Sequence, residues 1–277
     1  MIFRQILHPQ TGCASYVFGC LSKGTLAVVD PHVEHLDEYL GVAEATGASI
    51  DYVVETHVQA DHLSAARELA ARTGASIVMH HSAPVAFPFR GASDDECLEL
   101  GNTYIRVLHT PGHAPEHISL LVGDRTRSGE PWFVCTGDTL FVGDIGRPDL
   151  GGAQQADELA GQLYDSLFHK LLHLPDSVEV YPSHFAGSAC GRGMSGKPSS
   201  TIGFERRWNM ALRAHPRCTW RTSGLAAYRL GITDGRLSAV PAHLQPLPHQ
   251  GWPGGRSRLR DRRWSYHRSG SEDREPC

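Results

Sequence analysis

The stretch Glu55-Thr56-His57-Val58-Gln59-Ala60-Asp61-His62 follows a short buried strand predicted over 50–54 and precedes a predicted helix. A strand end followed by a helix start is where an α/β protein presents side chains to a ligand. His57, Gln59 and Asp61 alternate, so an extended loop would point them the same way. By itself the stretch leaves two interpretations open: a metal site, or a helix cap at Asp61 with a packed His62.

Three more predicted strands end in a histidine or an aspartate. His113 follows the strand 104–108, Asp138 follows the strand 132–135, and His184 follows the strand 178–180. A single histidine is usually exposed, or buried in a core with its hydrogen bonds made. Packing is a poor explanation for four strand ends that each carry a histidine or an aspartate. Together they favour one shared metal site.

The remaining pattern predicts a layered α/β domain over residues 1–213. Strands at 14–18 and 26–29 read as a hairpin, and helices are predicted to end at Gly47 and Gly74. Leu63 is placed on the apolar face of the second helix, and a last helix is predicted over 202–212. Residues 214–277 mix Pro, Gly, Arg and Trp without a period, which predicts a poorly ordered C-terminal extension.

Composition narrows the function classes. The 277 residues carry a net charge of -4, so no basic excess points to nucleic acid. No apolar run is long enough to span a membrane, and the N-terminus lacks a secretory pattern. The seven cysteines are scattered and form no Cys-x-x-Cys pair, which favours a reducing, cytoplasmic location.

The four strand-end segments resemble the metallo-β-lactamase superfamily, whose pattern is Thr-His-x-His-x-Asp-His, then Gly-His, Gly-Asp and a final His. The resemblance runs from residue 1 to about residue 212 and implies an αββα sandwich with a metal at one edge of its two sheets. Gln59 departs from the pattern, because its neutral amide replaces an imidazole and is a poor zinc ligand. The other positions of the pattern are intact at His57, His113 and Asp138. Two imidazoles and one carboxylate, with open positions, form the facial triad of non-haem Fe(II) oxygenases.

Three longer stretches, 136–149, 182–191 and 199–207, resemble the persulfide dioxygenase branch of that family. This resemblance implies one Fe(II) per chain held by His57, His113 and Asp138, with no further catalytic residue. It implies glutathione persulfide, or another small-molecule persulfide, as the substrate that O2 oxidises to sulfite and glutathione. The remnant of a second metal position would orient ligands and waters; its residues are Gln59, Asp61, His62 and His184.

Substrate contacts are predicted outside the metal site. The Arg147 guanidinium suits a substrate carboxylate, and a turn salt bridge to Asp144 or Asp149 is the equal alternative. Lys197 and Thr201 are predicted to contact the other carboxylate of glutathione. A homodimer is one candidate assembly.

Two rival functions stay open on the sequence alone. One is a zinc thioester hydrolase resembling glyoxalase II. The other is a catalytically weak metal- or thiol-binding protein of a sulfide-response pathway. Metal analysis together with oxygen uptake would separate the hydrolase from the dioxygenase.

Overall fold

The computed structural model describes residues 1–59, 61–150, 152, 155–185, 188, 190 and 194–213. The predicted extension 214–277 therefore lies outside the described residues. The first half of the chain forms a six-stranded sheet whose strands follow chain order. These strands are β1 (Ile2–His8), β2 (Cys13–Cys20), β3 (Thr25–Val29), β4 (Ser49–Val54), β5 (Ser76–His80) and β6 (Arg90–Ala92). Helices α1 (Leu36–Thr46) and α2 (Ala66–Thr73) connect strands of this sheet.

The second half forms another six-stranded sheet, in which neighbouring strands again follow one another in chain order. Its strands are β7 (Cys97–Leu100), β8 (Thr103–His109), β9 (Ile118–Asp124), β10 (Phe133–Gly137), β11 (Glu179–Pro182) and β12 (Ser200–Thr201). Helix α3 (Ala156–His169) lies between β10 and β11 in the chain, and α4 (Ile202–Trp208) follows β12.

Side-chain alternation along the strands divides the core into three apolar layers. On β3, Ala27 and Val29 join a cluster formed by both sheets, whereas Leu26 and Val28 join a cluster with α1 and α2. On β9, Leu120 faces the other sheet and Leu121 lies in the cluster with α3. Successive strand residues point to opposite faces, so each sheet is covered on both sides. The predicted αββα sandwich is confirmed.

Local signals fixed several element ends. Gly47 and Gly74 end α1 and α2 with φ of 63° and 77°, the left-handed conformation that favours glycine. Leu63, however, is 76% exposed and not part of the apolar helix face. The hydroxyl of Ser64 accepts a hydrogen bond from the amide of Ala66 at 2.9 Å, so the helix begins only after Leu63.

The last predicted helix is shorter than expected. α4 ends at Trp208, and a 3-10 turn over Met210–Arg213 replaces its final residues. The side-chain amide of Asn209 donates to the carbonyl of Asp144 at 2.9 Å, which draws the chain out of α-helical geometry. Among the described helices, none has both the length and the apolar character needed to cross a lipid bilayer.

Candidate metal centre

Backbone hydrogen bonds join the two sheets at one edge. The amide of Ile118, at the start of β9, donates to the carbonyl of Thr56 just after β4, at 2.8 Å. The amide of Ala14 on β2 donates to the carbonyl of Ser183 just after β11, at 2.7 Å. These two links bring the ends of strands from both sheets together, as the strand-end pattern predicts.

Three of the predicted ligands meet at this edge. Nε2 of His57 lies 3.9 Å and Nε2 of His113 lies 3.4 Å from Oδ2 of Asp138. All three side chains are buried, and their donor atoms lie within 4.8 Å of one another. Oδ2 of Asp138 is buried without a hydrogen-bond partner among the described residues. Such an orphaned anionic oxygen facing two imidazole nitrogens fits a cation, which would satisfy all three atoms at once.

Hydrogen bonds fix how the two imidazoles face this point. Nδ1 of His57 donates to the Thr56 hydroxyl at 2.9 Å, since that hydroxyl in turn donates to the carboxylate of Asp30. Nδ1 of His113 donates to the backbone carbonyl of Arg147 at 3.1 Å. With both Nδ1 atoms protonated, both Nε2 lone pairs remain available to a metal.

His117 holds the backbone of Asp138 in place. Its Nε2 accepts a hydrogen bond from the Asp138 amide at 2.9 Å, and its ring stacks on His57 at 5.1 Å. Burial holds the pKa of His117 well below its usual range, so the ring stays neutral. Gly137 has φ of 51°, and a Cβ at this position would overlap Nε2 of His117. This glycine is therefore required for the contact.

The protonation states suit metal binding. Burial lowers the pKa of His57 to about 3, so its imidazole is neutral. Burial alone would raise the pKa of Asp138, but the nearby imidazoles of His184 and His113 outweigh it and hold the pKa well below its usual range. A neutral imidazole, as at His57, and an ionised carboxylate, as at Asp138, are the forms in which these side chains bind metals.

A second cluster adjoins the first through Asp138. Nδ1 of His184 donates to Oδ1 of Asp138 at 2.6 Å, while Nε2 of His184 lies 2.6 Å from Oδ2 of Asp61. Nδ1 of His62 lies 3.2 Å from Oδ1 of the same aspartate. The structure thus brings Asp61, His62 and His184 together beside the first three ligands. Cys13, which the sequence analysis did not single out, completes this cluster.

Gln59 does not join these donors. Its Nε2 donates to Oδ1 of Asp30 at 3.2 Å, and its Oε1 is buried without a partner in the described part of the chain.

Two of the three predicted substrate contacts, Arg147 and Thr201, make hydrogen bonds within the protein, and their role toward a substrate stays a prediction. The Arg147 guanidinium forms two 3.1 Å hydrogen bonds with the carboxylate of Asp149, which is the turn salt bridge that the sequence left open. The backbone carbonyl of Arg147, not its side chain, contacts the candidate metal ligand His113. The Thr201 hydroxyl caps α4 by accepting from the amide of Phe204 at 3.1 Å, and Lys197 is exposed.

Asp30 is a residue of the site that the sequence analysis missed. Its buried carboxylate accepts hydrogen bonds from the amide of Thr56 at 2.7 Å and from the hydroxyls of Thr56 and Ser183. It therefore fixes the loop of His57 and the loop of His184 together. The signal was present, because Asp30 follows the end of β3 just as the metal-ligand candidates follow theirs. Its φ of 47° marks a constrained turn.

Comparisons with known proteins agree with this geometry. The chain is 32% identical over 173 residues to the hydroxyacylglutathione hydrolase of Polaromonas sp., covering 61% of each, so it spans about three fifths of that relative's length. It is 24% identical over 185 residues to the mitochondrial persulfide dioxygenase ETHE1 of Bos taurus, covering 66% of this chain and 68% of the relative. The crystal structure of ETHE1 from Myxococcus xanthus matches with a TM-score of 0.62 and 29% identity, covering 83% of this chain and 98% of that one. The model of the metallo-beta-lactamase superfamily matches residues 8–184. This chain, with its αββα sandwich and clustered candidate ligands at the strand ends, belongs to the metallo-β-lactamase superfamily.

Proposed function

We propose that the protein is a persulfide dioxygenase that oxidises glutathione persulfide with O2 at a single Fe(II). One persulfide anion, one O2 and one water give one sulfite, one glutathione thiolate and two protons. The terminal sulfur is oxidised and O2 is reduced, while the sulfur–sulfur bond breaks in the hydrolytic step. The stretches 136–149, 182–191 and 199–207 and the similarity to ETHE1 support this choice.

The observation that carries the proposal is the trio of His57, His113 and Asp138 with its orphaned Oδ2. Three protein donors leave coordination positions open, as reactions that combine O2 with a second substrate require. Fe(II) held there would supply the one-electron chemistry with O2 that the protein side chains lack. One carboxylate against a divalent cation leaves a single positive charge, which matches an anionic persulfide sulfur.

The other residues around the site orient the three candidate ligands. The Thr56 hydroxyl and the Arg147 carbonyl hold the two imidazoles in one tautomer, and His117 holds the backbone of Asp138. Burial of all three ligands excludes bulk water from their far sides. Fixed donors reduce the reorganisation that the reaction must otherwise include.

A zinc thioester hydrolase is the second candidate. The 32% identity to a hydroxyacylglutathione hydrolase favours it, and so does the cluster of Asp61, His62 and His184 beside the trio. Zinc hydrolases of this kind use the metal to activate water. The amide of Gln59 weighs against it, because a first zinc would lack the third imidazole of the family pattern.

The deciding experiment combines oxygen consumption, sulfite release and metal counting on iron-reconstituted protein supplied with glutathione persulfide. The proposal expects about one iron per chain and equal molar amounts of O2 consumed and sulfite formed. Thioester hydrolysis by the zinc-loaded protein without oxygen uptake would instead establish the hydrolase. Iron binding without sulfite formation would leave the weak metal-binding protein as the function.

Gln59→His provides a test at one residue. Under the proposed function the iron ligands are unchanged, so we expect oxygen consumption to stay within a few-fold of wild type. Under the hydrolase alternative, a restored imidazole should strengthen zinc binding and raise thioester hydrolysis. Gln155→His at the exposed start of α3 is the matched control for adding a histidine.

A further inference from the structure

We propose that His8, His32 and Glu34 form an additional cation site, which binds Zn²⁺ through two imidazoles and a carboxylate. None of the three residues occupies a position of the family pattern, and none is a donor of the candidate metal centre. The site is therefore a feature of this chain's own turn after β1 and of its segment after β3. It does not depend on the proposed reaction.

The topology of the first sheet brings the donors together. His8 is the last residue of β1, whereas His32 and Glu34 lie in the 3-10 turn that follows β3. Strands β1 and β3 each pair antiparallel with β2, so they run in the same direction and end on the same side. The Thr11 hydroxyl lies 2.8 Å from Nδ1 of His8, which leaves Nε2 of this ring to face Glu34.

The three donor atoms are close enough for one ion. They lie within 4.8 Å of one another, and Nε2 of His8 is 2.6 Å from Oε2 of Glu34. The ring of His8 lies beside that of His32, with centroids 4.6 Å apart. Zinc forms bonds of about 2.0–2.2 Å to nitrogen and oxygen, so a small tilt of the two rings lets one ion contact all three residues.

The charges of the donors suit a divalent ion. The hydrogen bond from His8 holds the pKa of Glu34 below its usual range, so this carboxylate is ionised at neutral pH. Zinc would take the place of the proton between His8 and Glu34, and that proton would pass to solvent. Zinc affinity should therefore fall as the pH falls. The Glu34 side chain is 63% exposed, so water can complete the coordination of the ion.

A further imidazole beside the cluster has an unused lone pair. The ring of His35 packs edge-on against His8, with centroids 5.2 Å apart. The carboxylate of Glu38 lies 3.2 Å from Nδ1 of His35, which favours the proton on that nitrogen and leaves the lone pair on Nε2. This Nε2 is buried without a hydrogen-bond partner among the described residues. A buried acceptor without a partner is costly, and a cation nearby would offset that cost.

The proposed site adjoins the candidate metal centre through ring contacts alone. The ring of His32 also stacks on His62, with centroids 4.8 Å apart. Zinc held at the sheet edge by other residues would therefore be a separate ion. An experiment that compares variants of His8 and Glu34 with wild type cancels any such ion, because the variants leave its donors unchanged.

A zinc titration of the iron-reconstituted full-length protein, followed by equilibrium dialysis and metal counting, tests the site. We expect one zinc per chain in wild type that binds at least ten-fold more weakly in His8→Gln and in Glu34→Gln. The double variant should lose that same zinc and no other. The matched controls His173→Gln and Glu44→Gln, at exposed positions outside the cluster, should bind zinc as wild type does.

Identical zinc titrations of wild type and Glu34→Gln would overturn the inference, and would leave His8 and Glu34 as an ion pair only. Equal losses in the two controls, or two separate ions lost in the double variant, would show unspecific surface binding instead. Because Glu34 is largely exposed, Glu34→Gln decides even if His8→Gln fails to fold. Oxygen consumption is measured separately, so a failure of the proposed dioxygenase would leave the zinc titration unchanged.

Discussion

At the scale of single residues, the geometry of the candidate metal centre depends on Gly137 as much as on the candidate ligands. Its φ of 51° strains any other residue, and a Cβ would overlap the ring nitrogen of His117 that holds Asp138. We expect Gly137→Ala to cost about 1–3 kcal/mol of unfolding free energy and to weaken iron binding roughly ten-fold or more. Urea unfolding and iron titration would measure the two effects.

Gly24→Ala is the control for this prediction. Gly24 has φ of 66° but open space around its Cβ position, and it lies in the turn between β2 and β3. Its replacement should cost about 1 kcal/mol through backbone strain and leave iron affinity unchanged. Equal iron affinities in wild type and Gly137→Ala would show that the His117 contact does not position Asp138.

At the scale of elements, α3 supports the loop that carries His113. Leu163 on α3 is fully buried and packs directly against Gly112, where a Cβ would overlap it. We expect Leu163→Ala to lower the unfolding free energy by about 2–5 kcal/mol because it leaves a cavity. The loosened loop should also weaken iron binding several-fold, measured by titration at a temperature where the variant is folded.

Leu69→Ala is the control that separates the loss of stability from the loss of iron binding. Leu69 is equally buried but lies in the cluster between the first sheet and its helices. This variant should lose a similar free energy of unfolding with no change in iron affinity. If both variants weakened iron binding equally, general loosening rather than loop support would be the cause.

Elements and the antiparallel β2–β3 hairpin were predictable where the signal is local, and contacts between segments far apart in the sequence were not. The apolar run of β3 and the glycines that end α1 and α2 are read within a few residues, and so are the strand ends that carry His57 and Asp138. The Arg147 salt bridge depends on turn geometry, and the sequence left it as one of two alternatives. The carboxylate of Asp30 accepts hydrogen bonds from Thr56 and Ser183, which lie in loops far apart in the sequence. Cys13 meets His184 only because the two sheets close on each other, and no local pattern contains that information.

At the scale of the whole molecule, stability should depend on pH through a contact between the sheets. His80 on β5 stacks on His109 of β8 at 3.9 Å. Burial first, and then the His109 and His81 imidazoles, lower the pKa of His80 from 6.5 to about 4. Between these pH values the unfolded chain binds a proton that the folded protein does not, so the unfolding free energy falls as the pH falls from 6.5 toward 4.

His80→Asn keeps an acceptor for the Ser82 hydroxyl, which lies 2.7 Å from Nδ1 of His80, but cannot titrate. Between pH 7.5 and 4.5, we expect the unfolding free energy of this variant to fall by about 1–2 kcal/mol less than that of wild type. The difference is this small because solvent near the ring screens part of the effect. Urea unfolding of both proteins across that range gives the difference, in which other titrating groups cancel. Parallel curves for the two proteins would mean that His80 is not the group responsible.

Metal removal tests how the two sheets depend on one another. The trio draws His57 from the end of β4 in one sheet, and His113 and Asp138 from loops of the other. A metal that binds only the folded protein raises the unfolding free energy by about 4 kcal/mol when its free concentration is a thousand times its dissociation constant. A chelator should therefore lower the melting temperature by roughly 10 °C. Anaerobic addition of Fe(II) should restore part of that loss in wild type but not in Asp138→Asn, which lacks the anionic ligand. An unchanged melting temperature after the metals are removed would mean that the two sheets hold these side chains in place without any ion between them.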